Sequence, residues 1–297
     1  MLGPLTALAC TLAALADPTG TALLSRESEF PFDEQRLAAG EANGGKLWRS
    51  RGLPEDGAPV PLVIVVHGVI CDGQPHHWLT DDPAGPWDVR PVLDDLVDRG
   101  EIAPLVAAGP SQTKDGSDPE HLFDDLDFDR FIEAVDATLA PRQRVDRGRV
   151  VVVGHSASAC GTRGGAFRVL QARTFRASAL LSLDGCMGPR DAEVLATTTR
   201  VGDVLVGYQR DIWVDRDLDG FEAAWARALA GRASVGRRVL SRFSFRGDAK
   251  NAHLEIVERA LRRWLPELLP PREETSWVHD LATAIEPRAP TSLAAAR

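Results

Sequence analysis

The chain of 297 residues is predicted to adopt an α/β fold, a mostly parallel central sheet with helices on both faces forming a three-layer sandwich. Three observations predict it. Short continuous apolar runs rich in valine and leucine recur at 61–69, 149–153, 177–183 and 202–208, too short for typical helices and suited to strands buried on both faces. Helix-like stretches alternate with them, at 92–100, at 128–139 and from His253 onward, as a parallel sheet requires of its crossovers. A hydrophobic content of 44% over this length supports a large core in one enzyme-sized domain.

Taken in order, residues 5–16 are apolar, and Ala14-Leu15-Ala16 before Asp17 has the small residues of an export cleavage site. We read 1–16 as a signal peptide of an exported (secreted or periplasmic) protein. The alternative is a cytoplasmic protein with an apolar N-terminal helix, because no Lys or Arg precedes Arg26. Residues 17–60 lead into the sheet. The strand at 61–69 ends in His67-Gly68-Val69, and a loop bearing His76, His77 and Trp78 follows. The main catalytic domain is expected over 61–270, closed by Pro270-Pro271, with 271–297 a partly disordered extension.

The strand at 149–153 stops at Gly154 and delivers Ser156 two residues later. A serine on a sharp strand-to-helix turn projects its hydroxyl above a sheet, where a histidine can deprotonate it; this is the nucleophile elbow of an α/β-hydrolase. The usual G-x-S-x-G needs small residues two before and two after the nucleophile, and here the second is Ser158. In this fold the oxyanion hole draws one backbone N–H from the residue after the nucleophile, Ala157, and one from the loop after an early strand, Val69. His67 is read as structural, and His155 as a packing or surface residue turned away from the nucleophile. His253 opens the last helix and is the candidate base. Two carboxylates beyond late strands, Asp211 and Asp184, contend for the acid that orients it; the chain order Ser156, Asp211, His253 is the one expected for the fold.

From about Pro61 to Leu269 the sequence resembles the esterase family that includes esterase D-like enzymes, enterochelin esterases and mycolyltransferase antigens. The likeness lies in His67-Gly68 after the first core strand, Trp87, the helix at 92–100, the strand at 102–108, the helix at 128–139 and Gly154-His155-Ser156. It continues in Leu181-Ser182-Leu183-Asp184-Gly185 and in His253 with Trp264-Leu265. The resemblance implies an α/β-hydrolase fold, carboxylic ester hydrolysis without a cofactor, Ser156 as nucleophile, Asp211 as acid and His253 as general base. Ser158 stands where the family carries glycine.

A net charge of −9 disfavours nucleic acid or an anionic membrane surface as partner, and no stable membrane insertion is expected. The resemblance implies instead a small-molecule or glycan-linked ester as partner. The run Asp215-Arg216-Asp217-Leu218-Asp219-Gly220 has the spacing of a calcium loop, but Ala226 replaces the glutamate expected at its twelfth position, so the turn is read as capping the helix at 221–229, with a shortened calcium loop using Glu222 as the alternative. No metal site is assigned. Cys71, Cys160 and Cys186 remain after removal of 1–16, an odd number; free buried thiols are the default, with a Cys160–Cys186 bond conceivable. The expected chemistry is acyl transfer through Ser156. The rival is an acyl-transferring or non-catalytic α/β-hydrolase-fold protein acting as a ligand-binding module.

Overall fold

The structure, a computed structural model, describes residues 26–32, 44–69, 77–79, 88–111, 123–162, 164–210, 217–230, 236–246 and 249–271. Eight strands form one sheet in the order β1-β2-β4-β3-β5-β6-β7-β8. They are β1 (Glu27–Phe30), β2 (Gly44–Arg49), β3 (Pro59–Val66), β4 (Val106–Ser111), β5 (Arg144–His155), β6 (Ala179–Leu183), β7 (Asp203–Tyr208) and β8 (Arg238–Arg242). From β4 to β8 all pairings are parallel, while β2 pairs antiparallel with both β1 and β4. The α-helices among the described residues are α1 (Arg90–Asp98), α2 (Phe128–Leu139), α3 (Pro189–Thr197), α4 (Leu218–Leu229) and α5 (Ala249–Leu268).

The apolar runs do what continuous burial demands. Along β3, Leu62, Ile64 and Val66 face one core and Val63 and Val65 the other; along β5, Val150 and Val152 oppose Val151 and Val153. The first core is closed by Phe131 of α2, Leu195 of α3 and Trp225 of α4. The second is closed by Leu93 of α1 and by Leu261 and Trp264 of α5. Helices therefore cover both faces, and each fully buried Leu or Phe contributes on the order of 1.5–3 kcal/mol.

Local signals set the ends of these helices. Asp127 caps α2 by accepting from the N–H groups of Asp129 and Arg130, and Pro91 suits the first turn of α1. Asp217 caps α4 through the Gly220 N–H at 2.8 Å, so this carboxylate of the acidic run serves a helix terminus. Asp215 lies outside the described residues. Among the described residues no helix is long and apolar enough to cross a membrane. Residues 1–16 and 272–297, the ends read as signal peptide and extension, lie outside them.

Candidate active site

Register builds the site. β5 pairs with β6 so that His155 is opposite Leu183, and β3 pairs with β5 so that Val66 is opposite Gly154. The next residues, Ser156 after β5 and Asp184 after β6, therefore leave neighbouring strands at the same level. Both have positive φ, 57° at Ser156 and 48° at Asp184, a left-handed conformation that costs a non-glycine residue on the order of 1–3 kcal/mol. The strain at Ser156 is the backbone signature of a nucleophile elbow. Its side chain is partly exposed, whereas Asp184 is fully buried.

The elbow lacks its second glycine, and the structure explains why serine serves. Ser158 is fully buried; its Oγ accepts from the His155 N–H at 3.0 Å and donates to the Val66 carbonyl at 2.6 Å. One hydroxyl thus ties the end of β3 to the end of β5 next to Ser156. The helix expected after the elbow begins as a 3₁₀ turn over Ser156–Ala159, and a second 3₁₀ segment runs over Gly165–Gln171.

Gly68 passes so close to the elbow that an added Cβ would sit 2.7 Å from Ser156 Cβ and 3.1 Å from its Oγ. The loop expected to supply an oxyanion donor therefore runs alongside Ser156, with Val69 next in the chain and packed against the first core. His67 is buried beneath it, its Nδ1–H donating to the Gly68 carbonyl at 2.7 Å and its ring edge-on to Phe123.

His253 stands in the first turn of α5 and donates Nδ1–H to Asp184 Oδ2 at 2.5 Å. Of the two carboxylates that the sequence offers, Asp211, the one favoured by chain order, lies outside the described residues, and the carboxylate hydrogen-bonded to His253 is that of Asp184. Leu183 is opposite Gly207, so Asp184 leaves β6 level with Tyr208 of β7.

His155 is a packing residue, as expected: it is buried, its Nε2–H donates to the His253 carbonyl at 2.7 Å, and its ring lies 4.4 Å from that of His253. Trp78 packs edge-on against it at 5.1 Å. His155 is thus a seat for His253. His76 lies outside the described residues.

A disulfide joins Cys160 to Cys186, overturning the default of free thiols. Cys160 terminates the 3₁₀ turn that begins at Ser156, and Cys186 is two residues beyond Asp184. Between them, Gly185 lies so near that turn that a Cβ would fall 2.0 Å from the Ala159 carbonyl oxygen. The turn that begins at Ser156 and the turn at Asp184 are therefore packed and covalently bridged.

At the end of β7, Tyr208 donates to Glu222 at 2.5 Å, and Arg210, two residues on, reaches Glu222 and Asp219 on α4. Burial, followed by the hydrogen bond and charge of Glu222, pushes the Tyr208 hydroxyl up to about 12. The hydrogen bonds from Tyr208 and then Arg210 hold the Glu222 carboxyl below its usual range. Asp219 and Glu222 are thus engaged by protein donors. Among the described residues no cluster of three or more His, Cys, Asp or Glu is placed to hold a metal ion.

The strand order, the strained serine after β5 and the histidine entering the last helix define an α/β-hydrolase fold. Solved structures agree. The chain is similar to an S-formylglutathione hydrolase from Agrobacterium tumefaciens (TM-score 0.52, 15% identity, 82% of this chain and 95% of that one). It is similar also to the BES protein from Bacillus cereus (TM-score 0.51, 12% identity, 82% and 96%). With the ferric enterobactin esterase from Salmonella typhimurium the likeness has TM-score 0.50 and 17% identity over 82% of this chain and 57% of that one. No protein-family model matches the sequence, and no curated protein matches it.

Proposed function

We propose that this protein is a serine hydrolase of carboxylic esters, with Ser156 as nucleophile, His253 as general base and Asp184 as the acid that orients it. The observation that carries the reading is the bond from His253 Nδ1–H to the buried Asp184 carboxylate, beside a serine held at positive φ. That bond leaves His253 Nε2 as the proton acceptor and stabilises the imidazolium formed as Ser156 Oγ attacks the ester carbonyl. The N–H groups of Val69 and Ala157 are proposed to receive the oxyanion, a role favoured by the course of the Gly68 loop past Ser156. His253 then returns the proton to the leaving alcohol, and water releases the acyl group by the same steps in reverse.

Substrates are proposed to be small-molecule or glycan-linked esters, in keeping with the esterases and hydrolases of similar fold. The Cys160–Cys186 bond supports the reading of an exported protein, since disulfides persist mainly in oxidising compartments.

The test is hydrolysis of p-nitrophenyl acetate and butyrate, together with fluorophosphonate labelling. Ser156→Ala is expected to abolish both, and Asp184→Asn to lower turnover on the order of a thousandfold or more. Asp211→Asn should stay within a few-fold of wild type. A larger loss in Asp211→Asn than in Asp184→Asn would remove Asp184 from the triad, and a wild type that neither turns over nor labels would sink the hydrolase reading.

A further inference from the structure

We propose that Gln209 is a positioning residue of this site, holding the Asp184 carboxylate in the rotation that His253 uses. The inference rests on the triad reading above and adds a residue with no nucleophilic, acidic or basic group of its own.

Gln209 follows β7 by one residue and is fully buried, as is Asp184. Its backbone N–H donates to Asp184 Oδ1 at 3.2 Å, and its side-chain Nε2 donates to Oδ2 at 3.0 Å. His253 shares Oδ2. A buried carboxylate must be matched by donors. One residue here supplies a donor to each of the two oxygens, and a carboxylate gripped at both cannot turn about Cβ–Cγ. Catalytic geometry depends on support of this kind, because a group held at one point only drifts from its working orientation.

The identity of the residue matters. The amide must present its nitrogen, since its oxygen against a carboxylate would place two acceptors together. Being neutral, it meets Asp184 without adding a second negative charge beside the imidazole. Among the charged groups around it, Asp184 comes from the end of β6 and His253 from α5. Arg210, next along the chain, is turned to Asp219 and Glu222 on α4. The backbone fixes the arrangement from behind, because the Asp184 N–H donates to the Gly207 carbonyl at 2.7 Å, two residues before Gln209.

Gln209→Leu keeps the approximate volume and removes the side-chain donor. With p-nitrophenyl butyrate we expect kcat to fall on the order of ten- to a hundredfold, the range of a lost hydrogen bond to a charged group, with KM within about twofold. Gln209→Glu supplies the discriminating readout. The introduced carboxyl, buried beside a carboxylate, stays protonated above the usual range and donates an O–H to Asp184. Activity should then be largely restored at the lower end of the pH profile and lost on a new basic limb absent from wild type and from Gln209→Leu. The far-downfield proton NMR signal of an imidazole N–H bonded to a carboxylate, assigned by its loss in Asp184→Asn, should shift or broaden in Gln209→Leu.

A folded Gln209→Leu with wild-type kcat and an unmoved downfield proton would overturn the proposal while leaving the triad intact. If Gln209→Leu does not fold, Gln209→Glu decides: an added basic limb supports the role, and a profile superimposable on wild type refutes it. A wild type inert to esters and to fluorophosphonate would instead mark failure of the triad reading, and the proposal would fall with it.

Discussion

Removing the Cys160–Cys186 bridge, by the double substitution Cys160→Ala/Cys186→Ala or by reduction, should lower both stability and turnover. The bridge spans 26 residues, and closing a loop of that length in the unfolded chain corresponds to about 3.5 kcal/mol at 25 °C. For a domain of this size the loss translates to a fall in Tm of about 7–14 °C. The segment enclosed runs from the end of the nucleophile turn through β6 to the acid turn, so the loosened part is the part that sets Ser156 against Asp184. Differential scanning fluorimetry with and without a phosphine reductant reads the first effect, and steady-state hydrolysis of p-nitrophenyl butyrate the second, with kcat falling more than KM rises. Alkylation and mass spectrometry should count two more reactive thiols after reduction. A double variant melting within about 2 °C of wild type would refute the stabilisation argument, and unchanged kcat would refute the link to the site.

Three further outcomes are expected. Ser158→Ala removes the hydroxyl that accepts from His155 and donates to Val66, stranding buried backbone groups; urea unfolding should show a loss of about 1–3 kcal/mol. Gly68→Ala pushes a methyl against Ser156 and should reduce fluorophosphonate labelling at least tenfold while circular dichroism stays native. Tyr208 is the chain's one tyrosine, so its ultraviolet titration reads a single group: the midpoint should lie at about 12 and move down in Glu222→Gln. Because folding raises this group above its unfolded value of about 10, the stability it contributes is fully present below pH 10 and is lost as pH rises toward 12.

Much of this was legible in the residues themselves. The parallel strands announce themselves because burial on both faces leaves β3 and β5 almost no polar side chain in their central runs. Ser156 and His253 stand out because each lies at the boundary of a strongly patterned element. The antiparallel strands β1 and β2 escaped notice: four and six residues long, with Gly44-Gly45-Lys46 opening the second, they carry little periodicity. The bond between His253 and Asp184 joins residues 69 apart, a long-range property that no local pattern encodes. His155 and Gln209 were hidden for a related reason, since their significance lies in partners 98 and 25 residues away. The disulfide likewise needed three-dimensional proximity, its Cα atoms standing 4.7 Å apart.

The margins of the sheet carry a consequence for how the protein behaves in crowded solution. An open sheet offers unpaired backbone groups along its two outermost strands, which can recruit strands from other molecules. Here one margin is the four-residue β1, begun by Glu27, and the other is the five-residue β8, bounded by Arg238 and Arg242. Arg238 folds its guanidinium back onto the carbonyls of Gly202 and Thr198. Short, charged borders of this kind make poor templates for strand addition.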